Sequence, residues 1–197
     1  MFNKHLQELQ NAIVGKTIAF AATVAEQFDD ITSQSEEPLY PRLFSVGPPR
    51  SPKTHLNQMT LALEALCFFV HAVDRISFRP HSEVLRDAVL DPTAIELSNW
   101  FEETLGKLDG KSATPGQTLI CIDFRNSQYA QAPSLLGTSA NDRNSAAWLA
   151  AAAIAEDVGH PRSVFVYIVH TALLRGLVDL NLADRIKTLE GAIARNP

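Results

Sequence analysis

This chain of 197 residues has none of the glycine-rich loops that cradle phosphates: neither GxGxxG nor GxxxxGK[ST] occurs. GxSxG, HExxH and an EF-hand loop are equally absent, so no common catalytic or metal-binding signature fixes a chemistry. With only two cysteines, Cys67 and Cys121, there is no disulfide framework. No CxxC pair exists either, which removes the usual zinc-ribbon and redox signatures. Both cysteines lie in apolar runs and read as buried thiols in a reducing compartment. There is no cluster of five or more Lys and Arg, and the net charge is -5 with a pI near 5.6. That balance disfavours phosphate backbones, and no nucleic-acid partner is expected. The longest apolar runs, such as Ala65 to Val70, fall short of the roughly 20 residues of a membrane span, and none is expected. IAFAATVA near the N-terminus ends in small residues as signal peptides do. Glu8 and Lys16 interrupt that pattern, so a secretory signal is not expected and a cytoplasmic location is.

What the sequence does have is helical periodicity. A hydrophobic fraction of 46% and a charged fraction of 20% suit a folded chain, here expected to be a single helical domain over 1–197. Residues His55 to Phe78 carry the clearest signal. Leu61, Leu63, Ala65, Leu66, Phe69, Val70, Val73 and Ile76 cover most of the helix circumference. Asn57, Thr60, Glu64, Cys67, His71 and Arg75 follow one another at steps of three or four, which places them on one narrow polar stripe. This helix is expected to be the most buried one.

A first amphipathic helix is predicted from about Lys4 to Gln27, through Leu6, Leu9, Ile13, Phe20 and Val24. Residues 28–53 contain Pro38, Pro41, Pro48, Pro49 and Pro52 and read as an extended strap across the helices. Beyond the central helix, a short helix near Ser82–Leu90 is expected. A second one starts at Asp91, an N-cap followed by Pro92 at the first helical position. Thr114-Pro115-Gly116-Gln117 has capping-box spacing, and Asn141 to Val158 is an alanine-rich helix ending at Gly159.

Two segments resist assignment by period. Residues 118–124 (TLICIDF) and 163–169 (SVFVYIV) are short, apolar and rich in β-branched residues, as buried strands are. Pro161 and the unbroken run VFVYIVHTALLRGL favour helix, and no hairpin signal occurs. The expected fold is therefore all-α, a compact multi-helix bundle with a proline-rich strap. The alternative is α+β or α/β with strands near 118–124 and 163–169.

Candidate site residues follow from the polar stripe. Glu64, His71, Asp74 and Arg75 form the expected ligand-binding set, with Arg75 recognising an anion, His71 supplying a proton and Glu64 or Asp74 orienting the imidazole. The plainer reading makes them a self-satisfying stripe that grips a neighbouring loop, as buried polar groups usually do. Cys67 and His71 are one turn apart and suit a metal ion, with Cys121, His160 or His170 as further ligands. No second close pair accompanies them, and no metal or cofactor is expected. His170 reads as a core histidine, and Trp100 and Trp148 as packing anchors. Glu156 and Asp157 oppose the dipole at a helix end, which hints at some further role. The sequence does not state a biochemical function. A protein–protein interaction or oligomerisation module, with a protein partner or a second copy, is the leading expectation. A small-ligand protein or enzyme using the stripe is the alternative.

Overall fold

The computed structural model describes residues 1–33, 52–78, 83–109, 114–137, 143–157 and 163–195, and every regular element among them is α-helical. Seven helices follow in order: α1 (Phe2–Ser33), α2 (Pro52–Ser77), α3 (Glu83–Asp109), α4 (Gln117–Tyr129), α5 (Ala146–Asp157), α6 (Ser163–Leu180) and α7 (Leu182–Ile193). The chain is an all-α multi-helix bundle, and the strand alternative is excluded on both segments in question. In 118–124 the buried residues Thr118 and Ile122, continued by Tyr129, recur at helical spacing while Ile120 and Phe124 face outward. In 163–169 the buried set Phe165, Val166 and Val169 continues through Leu173, Leu177 and Leu180, which only a helix brings to one side.

Helix α2 is the axis of the bundle. It touches α1, α3, α4, α5 and α7, and every residue from Glu64 to Val73 is buried. Leu66, Phe68 and Phe69 are among its largest fully buried side chains. Helix α6 packs mainly on α1 and α5. It also approaches α2 at one point. A Cβ at Gly176 would stand 2.7 Å from the Phe69 ring, so the missing side chain is what lets α6 close on the core.

Several boundaries differ from the sequence expectation. Helix α1 continues through 28–33, and α2 already includes Pro52 and residue 53. The expected strap thus loses both ends to helices: no breaker occurs between Phe28 and Ser33, and Pro52 suits a first helical position. The remainder, residues 34–51, lies outside the described residues. The two helices expected at Ser82–Leu90 and from Asp91 are one helix with Pro92 inside it. Leu85, Val89, Thr93, Leu97 and Phe101 step by four across the proline without a break, and their common burial outweighs the one lost backbone bond. Pro92 itself is exposed, and its carbonyl accepts a bond from Gln10 Nε2 of α1 at 3.2 Å.

Helix starts also differ. α4 begins at Gln117 behind Gly116, whose φ of +80° belongs to glycine, and the capping box is not formed by Thr114 and Gln117. The acceptor comes instead from α3, where Glu102 takes the backbone N–H of Thr118 at 3.0 Å and of Gly116 at 3.2 Å. Helix α5 starts at Ala146, five residues later than expected, with Ser145 Oγ accepting from Trp148 N at 3.2 Å. Val164–Ile193 has the length and composition of a membrane-crossing segment. It divides at Asn181, whose φ is +46°, and one face of α6 is core, a position in which apolar helices pass the same test.

The Gly176–Phe69 approach yields a stability prediction. Gly176→Ala should lower the unfolding free energy by about 1 kcal/mol, because overpacking exceeds the gain in helix propensity. Phe69→Leu in the same chain should recover part of that loss, as read from urea midpoints.

Candidate functional site

The polar stripe of α2 is spent on neighbouring helices, one residue at a time. Glu64 lies near the centre of the helix and is buried, where an unpaired carboxylate would be costly. Arg125 of α4 meets it side-on: Nε lies 2.8 Å from Oε2, and Nη2 donates to Oε1 at 2.9 Å. The same guanidinium contacts Asp157 at the end of α5 and donates from Nη1 to Gln128 Oε1 at 2.8 Å. One arginine therefore joins α2, α4 and α5. Burial holds the Glu64 carboxyl above its ordinary range, against the pull of Arg125. Burial alone would lower Arg125, but the Glu64 bond and charge more than reverse it, so the guanidinium stays charged. Asp157, unfavourable against the α5 dipole, is matched by this cation.

Asp74 and Arg75 act further along the same helix. Asp74 Oδ1 accepts from Arg86 Nε of α3 at 2.6 Å. Arg75 Nη2 donates to the carbonyl of Ala132 at 3.2 Å and lies 3.5 Å from that of Pro133. Those carbonyls belong to the turn after α4. The same turn offers the carbonyls of Ser134 and Leu135 to the N–H groups of Ala146 and Ala147, at 2.9 and 3.0 Å. Arg75 thus anchors the turn that seats the start of α5.

His71 is different. It is fully buried, and neither ring nitrogen has a hydrogen-bond partner among the described residues. Its ring meets Tyr129 edge-on with centroids 5.5 Å apart. Burial pushes its pKa down to about 4, with Asp74 opposing, Arg75 reinforcing and the nearby Asn126 opposing slightly. Asn126 Oδ1 is itself buried without a partner in bonding geometry. The imidazole is therefore neutral at physiological pH. Burial also raises the Cys67 and Cys121 thiols and the Tyr129 hydroxyl, each further raised by the Glu64 charge. These groups are held protonated, the unreactive form for a nucleophile.

Each expected site residue can now be placed. Glu64, Asp74 and Arg75 bond to three different elements, and His71 stands between them against Tyr129 without joining any of those bonds. Asn57 falls within α2, while the 34–51 part of the expected strap and His160 lie outside the described residues. Among the described residues no three His, Cys, Asp or Glu side chains converge as a metal site would need. His170 is buried, its Nε2 has no bonding partner there, and its ring packs edge-on against Trp148 at 5.3 Å. The residue that sequence reasoning missed is Arg125. Its signal lay in the spacing of Thr118, Ile122, Arg125 and Tyr129, one face of a helix once 118–124 is helical.

A second feature involves none of these residues. An open groove of about 420 Å³ runs between α1 and α6, lined among others by Thr23, Gln27, Val164, Tyr167, Thr171 and Arg175. Compared with family models, curated proteins and solved structures, the chain matches none.

Two predictions follow from the buried cluster. Arg125→Met should cost about 3 kcal/mol because it strands a buried carboxylate, and adding Glu64→Gln should recover most of that loss. Denaturant unfolding of both variants checks this. His71→Leu should leave stability unchanged or raise it, since it removes unpaired buried nitrogens at similar volume. An imidazole with a depressed pKa takes up protons on unfolding. Its stabilising contribution is intact above about 6.5 and is lost as pH falls towards about 4. The difference in unfolding free energy between wild type and His71→Leu should therefore shift in favour of the variant across that window, by at most about 3 kcal/mol. Glu64, whose raised pKa gives the opposite slope, is common to both proteins and cancels.

Proposed function

We propose that this chain is a non-catalytic association module whose docking surface is the outer face of α6. The observation that carries the reading is a continuous apolar stripe on that face. Val164, Tyr167, Thr171, Leu174 and Val178 succeed one another at three, four, three and four residues; all are exposed except Leu174, which is half-buried against the core. Val164 is 64% exposed and Val178 77% exposed, unusual for β-branched aliphatics on a helix that could have carried charge there. The groove continues the stripe onto α1. An apolar face aligned with a groove is the geometry by which helices take up partner segments.

The rival reading, a small-ligand protein or enzyme acting at the α2 stripe, has one supporting observation, the unpartnered His71 nitrogens. Against it stands the commitment of Glu64, Asp74 and Arg75 to protein groups.

Val164→Lys with Val178→Lys tests the association reading. Both positions are exposed, so unfolding free energy should change by no more than about 0.5 kcal/mol. The assembly mass in light scattering, or the set of partners retained from cell extract by tagged protein, should change between wild type and variant. Identical masses and identical partners in both proteins would refute the reading.

A further inference from the structure

His71 is fully buried on α2, and neither ring nitrogen has a bonding partner among the described residues. A neutral imidazole is held there at moderate cost. An imidazolium brings a full charge and two N–H donors that need acceptors. Its surroundings do not supply them. On its own helix, Asp74 is bonded to Arg86 of α3, and Arg75 adds a like charge. From α4 come the Tyr129 ring, whose hydroxyl burial keeps protonated, and one neutral acceptor, Asn126 Oδ1. Glu64, about two turns away, is closed by Arg125, which also holds Asp157 of α5. Among the described residues no charge of α1, α3, α5 or α7 acts on the imidazole directly. We propose that the α2–α4 contact at His71 is an acid-sensitive latch: protonation of the imidazole releases α4 from the bundle ahead of the other helices.

Helix α4 is the element able to leave. Of its 13 residues only Thr118, Ile122 and Tyr129 are buried, and Ile120 and Phe124 face outward. In α5, by contrast, most residues from Ala146 to Ala155 are buried. Segments with few buried apolar contacts open at the lowest free energy. Tyr129, the largest buried side chain of α4, lies on the imidazole itself with centroids 5.5 Å apart, so α4 must swing away before water reaches the ring. The tether beyond α4 is weakened by the same event. Arg75 is the next residue but three along α2, and an imidazolium repels the guanidinium that holds the carbonyl of Ala132.

The two buried titrating groups of the contact act in opposite senses. The Glu64 carboxyl is raised by burial, so acid favours the closed state through Glu64. The imidazole is held at about 4 when closed and returns to about 6.5 when exposed, so acid favours the open state through His71. Between pH 7 and pH 5 the His71 contribution raises the opening equilibrium of α4 by about 20-fold. The latch does not rest on the association reading, and its failure would leave that reading intact.

Native-state hydrogen exchange read by mass spectrometry tests the latch, on the full chain at pH 7 and at pH 5. Each rate is divided by the chemical exchange rate of the free peptide at that pH, which leaves the opening equilibrium. The proteins are wild type, His71→Leu and His71→Gln; the glutamine keeps a polar tip and does not titrate, so a folded non-titrating variant is available if leucine packs badly. Glu64 and His170 are present in all three proteins and cancel. Peptides from Gln117–Tyr129 report α4, and peptides from Leu182–Ile193 report α7 as the reference. On going to pH 5, opening of α4 should rise about 20-fold more in wild type than in either variant, while α7 should respond alike in all three. An acid response of α4 that is the same in wild type and in the variants would overturn the latch. An equal His71-dependent rise in α4 and α7 would overturn it too, because the proton would then loosen the whole bundle rather than release one helix.

Discussion

A carboxylate in the middle of the most buried helix sets the terms for the rest of the bundle. Glu64 has protein on all sides, so a cation had to be brought to it from another element, and its geometry decides where that element lies. Arg125 approaches side-on from α4, which fixes the rotation of α4 and explains why Ile120 and Phe124 point outward while Tyr129 points in. Having reached Glu64, the guanidinium still has donors to satisfy, and Asp157 takes one of them. The end of α5 is positioned by the donor left over from the pairing of α2 with α4. Arg75 repeats the logic at one remove, holding the turn from which α5 starts.

Buried ion pairs are costly to make and costlier to break, and a hydrophobic trio of similar volume would be at least as stable. What such a trio would not supply is direction. Apolar side chains at 64, 125 and 157 would allow α4 to rotate or slide along α2. The bidentate contact permits one arrangement, so we read Glu64 and Arg125 as devices of specificity. The recovery of stability in the paired Glu64→Gln, Arg125→Met variant, together with any loss of a single ordered state, separates specificity from stability.

Much of this was legible in the residues. The α2 helix, its burial and the line from Glu64 to Arg75 came directly from spacing, because a helix that is apolar nearly all round leaves its polar positions conspicuous. The partners of that line were not legible. Arg125 sits in a segment whose apolar β-branched start suits strand and helix alike, and until its period is known its facing is undefined. Glu102 capping α4 from α3, and α3 running through Pro92, are both tertiary outcomes. A local rule favours a cap at Thr114 and a break at Asp91, and packing between distant segments overrules it.

Helices α2 and α6 pose one problem with two outcomes. Both are apolar around most of their circumference, and both carry a buried histidine packed edge-on against an aromatic ring of another helix. α2 is surrounded by five helices, so its composition is fully explained by the fold. α6 packs mainly on two, and the stripe from Val164 to Val178 lies on the side they leave open. Intramolecular packing accounts for the core side of α6, and lysine or glutamate on its outer side would cost the fold nothing. Among the described residues, Val164 and Val178 are exposed and have no packing cause. That exposed face, with Tyr167 packed on Trp148 beside it, is the surface on which the proposed association rests.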